Sequence, residues 1–376
     1  MIVNKIYNSR GEATIEVEYN NAIGRAPSGA SKGLNEVKDY NKDIDSEIKD
    51  LSKLSKKIES LNINTFDNLA SVEDLTKELG GNTRIALEFS IFLSKQGYKW
   101  LPGRRLPRPL GNVIGGGKPI KEGSINIQEF LVIDGESESF FDSAFKNLSF
   151  HRFIHEKLER IDKLSYKRMT DEGAWSPNLR DEEILDLLYS SCKKFKLKLG
   201  IDMAASSFFD GQYYNYKDNR DNKEQNREKK LDKEQQIKYV NKLIKKYKLY
   251  YVEDPLEEND FEGFSHISRN ALVCGDDLIT TNIDRLREAI QNKSISALII
   301  KPNQIGSLIK MKEVILEAKK YNIVPVISHR SGETLDYSIA DLAVGFEIPI
   351  IKCGIFGKER QAKIDRLIQI EKELNR

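Results

Sequence analysis

Apolar positions in the first hundred residues follow first a strand spacing and then a helical spacing. Residues 2–7 and 13–19 predict two short strands, and apolar and polar side chains alternate in the second. Three stretches with apolar side chains at helical spacing follow: Ile44, Ile48, Leu51, Ile58 and Leu61; Phe66, Leu69, Val72 and Leu75; Ile85, Ala86, Phe89 and Phe92. The Pro-rich segment 102–109 marks a hinge. We therefore expect residues 1–124 to form a small N-terminal α+β capping domain.

The pattern changes at about residue 125, where short apolar runs alternate with helical stretches. Many of these runs end in a charged or polar cluster, as in YYVEDP, LVCGDD, ALIIKPNQ and VPVISHRSGE. Helical stretches separate most of them, at 181–196, 232–248, 282–293 and 307–321. Alternating strands and helices predict a parallel sheet covered by helices, and this many units favour a closed barrel. The expected fold is α/β, with a TIM-type β/α barrel over residues 125–376.

Composition and charge narrow the choice of partners. Lys and Arg number 60 against 58 Asp and Glu, a net charge of +2 that gives no reason to expect nucleic acid or an anionic membrane as the main partner. No apolar run approaches the roughly 18 residues of a membrane-spanning helix, and the N-terminus lacks a signal-peptide layout. Cys192, Cys274 and Cys353 are odd in number and far apart, which suggests neither a disulfide framework nor a zinc site. We expect a cytoplasmic protein.

Three acidic residues end successive strands of the expected barrel. Asp202 ends one strand, Glu253 the next and Asp276 the one after. The carboxyl ends of barrel strands converge on one mouth, where three carboxylates repel one another unless a cation lies between them. Ligands that offer only oxygen favour a hard ion, and Mg²⁺ is the usual one. None of the four histidines lies beside these acids, which argues against zinc.

Basic and hydroxyl side chains end the remaining strands. Lys301 and Lys352 point to either a base with a lowered pKa or a cationic clamp on an anionic substrate. The segment His329-Arg330-Ser331-Gly332 suits a phosphate, because it combines a guanidinium, a hydroxyl and backbone N–H groups. Glu129 and Glu172 add two carboxylates near the start of the barrel.

Taken singly, most of these residues have a simpler structural explanation. An acidic strand end is often a helix N-cap, Asp254-Pro255 reads as an ordinary turn, and Lys352 as a surface residue. Together they place a metal site, a base, an acid and an anion clamp on one rim. Three other features are set aside: the glycines before Lys118-Pro119 lack a phosphate-loop pattern, His151 and His155 read as an exposed helix, and Trp175 reads as packing.

The chain resembles the enolase family over nearly its whole length. The matching segments, in chain order, are Ser9-Arg10-Gly11, Pro27-Ser28-Gly29-Ala30-Ser31, Gln128-Glu129-Phe130, Asp171-Glu172-Gly173, Asp202, Glu253-Asp254-Pro255, Gly275-Asp276-Asp277-Leu278, the segment from Lys301 to Gly306, the segment from Ser328 to Thr334, and Lys352-Cys353-Gly354. Motifs of this length are far more specific than a lone glycine pattern. The resemblance implies a Mg²⁺-dependent lyase, a phosphopyruvate hydratase of glycolysis and gluconeogenesis that reversibly dehydrates 2-phospho-D-glycerate to phosphoenolpyruvate.

The resemblance also implies a role for each matching residue. Asp202, Glu253 and Asp276 would hold the first Mg²⁺, and Ser31, on a loop of the N-terminal domain, would help to bind a second. Lys301 would remove the C2 proton, and Glu172 would protonate the departing C3 hydroxyl with Glu129 as its neighbour. Lys352 and His329 would contact the phosphorylated acid substrate, while Arg330 and Ser331 would hold its phosphate. A homodimer or a larger homo-oligomer is implied as well.

Among the departures of the sequence from the family pattern, one falls at a position that contacts substrate in the family. Enolases usually carry a histidine in the glycine loop where Lys118-Pro119 stands here, and that histidine contacts substrate. Two alternatives therefore stay open at the level of the sequence. One is an enolase-like paralogue that acts on another 2-substituted carboxylic acid, and the other is a non-catalytic protein that keeps the fold.

Overall fold

A computed structural model describes residues 1–29, 33, 35–116, 125–163, 167–217 and 229–375. The N-terminal part is a three-stranded antiparallel sheet with helices against it. The sheet has the order β1 (Ile2–Tyr7), β2 (Ala13–Tyr19) and β3 (Ala22–Arg25), followed by helices α1 (Ile44–Glu59), α2 (Leu69–Thr76) and α3 (Gly81–Ser94). Strands β1 and β2 and the three helices match the spacings in the sequence, whereas β3 was not predicted. Helix α3 packs on β2 and β3 and buries Phe89 and Phe92.

A closed barrel forms the rest of the described chain. Its strands belong to the series β4 (Arg108–Gly115), β5 (Glu129–Asp134), β6 (Leu197–Asp202), β7 (Tyr214–Tyr216), β8 (Lys229–Leu231), β9 (Tyr251–Glu253), β10 (Leu272–Gly275), β11 (Ala297–Ile300), β12 (Val324–Ser328) and β13 (Ile350–Lys352). Strands β7 and β8 pair as a separate hairpin, and the other eight close in the order β10-β11-β12-β13-β4-β5-β6-β9. The expected α/β barrel with a capping domain is confirmed.

Helices follow most of the barrel strands. They are α4 (Phe140–Ile161), α5 (Asp181–Phe195), α6 (Lys233–Tyr247), α7 (Phe261–Ser265), α8 (Ile283–Gln291), α9 (Pro302–Ile305), α10 (Leu308–Lys320), α11 (Ser338–Gly345) and α12 (Lys358–Leu374). Four of them, α5, α6, α8 and α10, begin and end within two residues of the stretches predicted from the sequence. Within the described ranges, no helix combines the length and apolar character needed to cross a membrane.

One strand runs against the others. Strand β5 pairs antiparallel with both β4 and β6, whereas the remaining pairs of neighbouring barrel strands are parallel. The chain enters β5 from β4 without an intervening helix among the described residues, so the two strands need not be parallel. The start of β5 therefore lies at the same barrel end as the carboxyl ends of its neighbours, and Glu129 pairs in register with Asp202.

Strand β4 also bears on the domain boundary. It lies at residues 108–115, before the boundary expected at residue 124, and it pairs with β13 and β5 inside the barrel. We propose that the barrel domain begins in the Pro-rich segment before β4. The N-terminal domain contacts the barrel mouth through backbone bonds, because Ser28 and Gly332 each donate an N–H to the other's carbonyl, at 2.8 and 2.9 Å.

Candidate active site

The barrel interior has an apolar layer at its centre, and charged residues lie two positions away from that layer along the strands. A buried cluster on the strands includes Leu131, Tyr251, Cys274, Ile299 and Ile350. Successive strand residues alternate between the two faces, so positions two residues further along point inward as well. Those positions hold the residues predicted for the site: Glu129, Glu253, Asp276, Lys301 and Lys352 lie two residues from a member of this cluster. The apolar layer thus forms the floor of a charged cleft.

Lys352 lies at the centre of this cleft among three carboxylates. Its Nζ is 2.8 Å from Glu129 Oε2, from Asp202 Oδ2 and from Glu253 Oε1. Burial disfavours the ammonium, but the three carboxylates outweigh that cost and raise the pKa of Lys352 well above its ordinary value. Burial raises the pKa of Glu253 to about 8, and the charge of Asp202 adds to the rise. The other oxygen of Glu253 accepts the Tyr251 hydroxyl.

Lys301 is held by the third acidic strand end. Its Nζ donates to Asp276 Oδ2, and its backbone N–H donates to the Thr281 hydroxyl at 2.9 Å. The other oxygen of Asp276 accepts the Gln304 amide at 3.1 Å. Burial would lower the pKa of Lys301, but the Asp276 carboxylate prevails and raises it. As the protein stands, Lys301 is therefore a cation, which fits the predicted clamp more directly than the predicted lowered pKa.

Asp254 supports the acidic strand ends from below. Its carboxylate accepts the backbone N–H of Asp276 at 3.0 Å and that of Asp277 at 2.8 Å, which fixes the turn after β10. Oxygens of these three aspartates lie within 4.8 Å of one another and form the metal-type carboxylate group found among the described residues. Two of them are not part of the predicted set of Asp202, Glu253 and Asp276. Because Asp254 is committed to two N–H groups, it serves better as a support than as a ligand.

The donor chemistry of the cleft fits a divalent cation. Eight acidic side chains line it among the described residues, Glu36, Glu129, Asp171, Glu172, Asp202, Asp254, Asp276 and Asp277, against four cationic ones, Arg10, Lys301, Arg330 and Lys352. A cleft with this excess of negative charge would repel an anionic substrate. Carboxylate oxygens are the ligands that hard divalent cations prefer, and Asp202, Glu253 and Asp276 are the strand-end carboxylates that would hold such an ion.

Glu172 and His329 lie close to each other in the cleft. Glu172 Oε2 is 3.6 Å from His329 Nε2 and accepts the Asn112 side-chain amide at 3.3 Å. Burial lowers the pKa of His329 to about 4, so its ring is neutral at pH 7. Burial raises the pKa of Glu129 well above its usual range, and its contact with Glu172 adds to the rise. The carboxyl pair can therefore carry a proton at neutral pH.

Arg330 forms a two-point ion pair with the N-terminal domain. Its guanidinium nitrogens lie 2.9 and 3.2 Å from the two oxygens of Glu36, and one of them also donates to Asn303 Oδ1 at 3.2 Å. Both side chains of the pair are about 5% exposed or less. Ser331 lines the same cleft beside Arg330. The predicted phosphate residues are thus together, but Arg330 is already bound to a carboxylate.

Helix α12 supports the turn that carries Arg330. Arg360 donates to the backbone oxygens of Arg330 and Ser331, at 3.3 and 2.8 Å. Lys363 donates to Glu333 at 2.6 Å, and Glu333 in turn accepts the backbone N–H of Arg330 at 3.0 Å. Arg360 and Lys363 are each 1% exposed. Two buried cations thus fix the backbone of the 329–333 turn from behind.

Nearly all the site residues predicted from the sequence line this one cleft or lie directly beneath it. Those that line it are Glu129, Glu172, Asp202, Asp276, Lys301, His329, Arg330, Ser331 and Lys352. Glu253 is fully buried below them, in contact with Lys352. Ser31, predicted to help bind a second metal ion, and Lys118-Pro119 lie outside the described residues.

Several residues of the site were not found from the sequence. One of them, Glu36, reaches the site from the N-terminal domain, and two others, Arg360 and Lys363, reach it from α12. Their partners lie 294 positions away for Glu36 and 30 positions away for Arg360 and Lys363, and no local pattern reveals contacts over such distances. Tyr251 and Asn112 had a usable signal, because both point inward along barrel strands at the two-residue period.

The histidines at helical spacing have a packing role. His151 is buried, not on an exposed helix as expected, and its Nε2 lies 2.9 Å from the Gly173 carbonyl oxygen. Its ring and that of His155 stack on Trp175, with centroids 4.8 and 4.2 Å apart. Trp175 packs, as predicted. This aromatic cluster buttresses the segment that carries Glu172.

Comparisons with known proteins agree with the geometry. A family model described as "Enolase, C-terminal TIM barrel domain" matches residues 104–376. An enolase of Methanosphaera stadtmanae is 38% identical over 98% of this chain and 95% of its own length. An enolase of Picrophilus torridus is 38% identical over 99% of this chain and 98% of its own, and one of Methanothermobacter thermautotrophicus is 36% identical over 99% and 95%.

Proposed function

The chain belongs to the enolase family, and on that premise we propose that it is a phosphopyruvate hydratase, which reversibly dehydrates 2-phospho-D-glycerate to phosphoenolpyruvate. The observation that carries the proposal is the convergence on one cleft of an amine, a carboxyl pair and a guanidinium. Lys301, the Glu129–Glu172 pair and Arg330 are the members of that set, and the strand-end carboxylates of Asp202 and Asp276 line the same cleft. A proton acceptor, a proton donor and an anion-binding group are what the reaction requires.

Lys301 is the proposed base that removes the C2 proton. Its amine must be neutral to accept a proton. Because Asp276 stabilises the charged form of that amine, a second cation beside Asp276 would have to weaken this effect when substrate is present. Glu172 is the proposed acid that protonates the leaving C3 hydroxyl. Glu129 supports this role, because its raised pKa keeps a proton on the Glu129–Glu172 pair at neutral pH.

Asp202, Glu253 and Asp276 are the proposed ligands of Mg²⁺, with Ser31 a contributor to a second ion. A bound divalent cation supplies positive charge against the negative charge that develops when a proton leaves the carbon beside a carboxylate. Lys352 lies among the same carboxylates and adds a fixed positive charge next to them. The acidic excess of the cleft supports this assignment.

The substrate is proposed to bind by its phosphate and by its reacting end. Arg330 and Ser331 lie at the turn after β12 and are the proposed phosphate residues, since a guanidinium matches two phosphate oxygens at once. His329 and Lys352 lie nearer to Glu172 and Glu129, where they would contact the acid portion of the substrate.

The proposal also covers the cellular location, the oligomeric state and the partners of the protein. We place the protein in the cytoplasm, where thiols stay reduced, and its three cysteines are free and buried. We also propose a homodimer or a larger homo-oligomer, a place in glycolysis and gluconeogenesis, and no nucleic-acid or membrane partner. Light scattering on the purified chain tests the oligomeric proposal, because a monomer at micromolar concentration would contradict it.

The proposed reaction is tested by the ultraviolet absorbance of phosphoenolpyruvate. Purified protein, 2-phosphoglycerate and Mg²⁺ should give a steady rise in absorbance that stops when a chelator is added. The reaction should resume when Mg²⁺ is restored in excess. A folded, Mg²⁺-bound protein that forms no phosphoenolpyruvate would contradict the proposal, and 2-substituted acids without a phosphate would then be the next substrates to try.

A further inference from the structure

The ion pair between Glu36 and Arg330 occupies the edge of the guanidinium that a phosphate would use. Two nitrogens of Arg330 face the two oxygens of Glu36 at 2.9 and 3.2 Å. Parallel pairs of this kind are the geometry with which arginine binds carboxylate and phosphate alike. Glu36 also lines the cleft. A carboxylate therefore takes the position of the substrate's phosphate in the protein described here.

Glu36 is held there by the N-terminal domain. Its Oε1 accepts the backbone N–H of Gly33 at 3.1 Å, and the next residue, Val37, donates its N–H to the Gln304 carbonyl at 2.9 Å. The Gln304 side chain approaches Glu36 at 3.5 Å and bonds Asp276 at 3.1 Å. Glu36 thus contacts the proposed phosphate residue directly, and Gln304 links it to Asp276, a proposed metal ligand.

We propose that Glu36 is an internal anion that competes with the substrate's phosphate for Arg330, an inference that rests on the proposed role of Arg330 in the reaction. A phosphate that binds Arg330 takes over its two N–H groups, and the Glu36 carboxylate then gives up its two bonds to the guanidinium. An anion therefore binds Arg330 only if its interaction with the guanidinium is more favourable than that of Glu36. A dianionic phosphate meets this condition more readily than a carboxylate, because it carries more charge on its oxygens.

If Glu36 competes with the phosphate, its removal changes anion affinity in the opposite direction from the removal of a residue that merely positions Arg330. Removal of the Glu36 carboxylate takes one negative charge from beside the buried Arg330 guanidinium, and an added anion restores the balance of charge. A competitor's loss therefore strengthens anion binding. The loss of a positioning residue weakens it, because the guanidinium is then less well ordered for its ligand.

The test uses Glu36→Gln, which keeps the shape of the side chain and removes its charge. Inorganic phosphate is the probe, and its affinity is measured by titration calorimetry at a fixed Mg²⁺ concentration. We expect phosphate to bind the variant at least tenfold more tightly than the parent protein and to raise the midpoint of thermal unfolding further. Before phosphate is added, the variant should unfold at a lower temperature than the parent.

Asp341→Asn is the matched control. Asp341 is buried and forms an ion pair of the same two-point kind with Arg366, at 2.7 Å for both contacts, away from the cleft. This variant should lose thermal stability in the same way but keep the phosphate affinity of the parent. If Glu36→Gln does not fold, Glu36→Asp replaces it, because the shorter acid keeps its charge but reaches Arg330 less well; it too should bind phosphate more tightly.

Phosphate affinity that is equal or lower in the Glu36 variants would overturn the competition. Failure of the underlying assignment has a separate signature: if Arg330→Gln binds phosphate as tightly as the parent, Arg330 is not the phosphate residue. Loss of phosphate binding in Arg330→Gln together with tighter binding in Glu36→Gln is the combination expected here. Phosphoenolpyruvate formation by the parent protein, measured in parallel, reports on the reaction itself.

Discussion

At the scale of the residue, the site depends on a two-residue step along the barrel strands. Ile299 and Ile350 lie in the apolar layer, and Lys301 and Lys352 follow two positions later on the same inward face. The strands thus project charged groups into the cleft while their preceding residues seal its floor. Because these charged groups lie inside the barrel, an unpaired one would strongly destabilise the fold. Lys352 is accordingly surrounded by three carboxylates.

The metal assignment gives a prediction for a single carboxylate. Asp276→Asn should weaken Mg²⁺ binding at least tenfold, because it removes the negative charge from one of three proposed ligands. Calorimetric titration of Mg²⁺ into the variant measures the change.

Asp171→Asn is the control, since Asp171 lines the same cleft but pairs with Arg10 and is not a proposed ligand. Its Mg²⁺ affinity should match that of the parent. The ligand assignment would have to be abandoned if Asp276→Asn bound Mg²⁺ as tightly as Asp171→Asn.

At the scale of the element, local pattern predicted most of the fold. The amphipathic stretches fixed α5, α6, α8 and α10, and the strand ends that followed them fixed the order of the site residues. The prediction of a parallel sheet was wrong for β5, because an apolar run such as IQEFLVI carries no signal that distinguishes parallel from antiparallel pairing. The hairpin of β7 and β8 was missed as well, since two three-residue strands give too short a pattern to recognise.

Contacts between elements were the part of the site that the sequence concealed. Arg360 and Lys363 look like the polar face of an ordinary amphipathic helix, yet both are buried behind the 329–333 turn. A charged residue on a helix reads as solvent-exposed unless its partner is known, and the partner of Lys363 lies 30 positions earlier.

Helix α12 carries a prediction for stability. Lys363→Met should lower the free energy of unfolding by about 3–5 kcal/mol, because it leaves the Glu333 carboxylate buried without its cation. Urea denaturation of parent and variant gives the difference.

Lys358→Met is the matched change on the same helix. The side chain of Lys358 is 80% exposed and lies 4.0 Å from its acidic neighbour, so this change should cost about 1 kcal/mol or less. Equal losses in the two variants would mean that the buried pair contributes no more than a surface contact.

At the scale of the whole molecule, near-neutral charge conceals a strong local imbalance. The chain carries +2 overall, whereas the described lining of the cleft holds eight acids and four cations. Net charge therefore gave no reason to expect polyanionic partners, and it could not reveal a cation site. The N-terminal domain closes one side of that cleft through Ser28 and Glu36, so that the active site belongs to both domains.

The buried His151 gives the molecule a pH-dependent stability. Burial lowers its pKa from 6.5 to about 4 in the folded protein. The unfolded chain therefore takes up a proton first as the pH falls below 6.5, and the free energy of unfolding falls by up to about 3 kcal/mol by pH 4. Denaturant unfolding at pH 7 and pH 4.5 should show a smaller loss in His151→Gln than in the parent.

The exposed His266 supplies the control for this comparison. His266→Gln should lose stability between the two pH values as the parent does. An identical loss in all three proteins would show that His151 has no part in the pH dependence.

Lys301 is proposed to remove the C2 proton before Glu172 protonates the leaving hydroxyl, and exchange of the C2 hydrogen with deuterium oxide tests that order. With Mg²⁺ and 2-phosphoglycerate, Glu172→Gln should exchange the C2 hydrogen while forming phosphoenolpyruvate at least 100-fold more slowly than the parent. Lys301→Ala should do neither, although its Mg²⁺ affinity stays close to that of the parent. Exchange that persists in Lys301→Ala, or that is lost equally in both variants, would contradict the assignment.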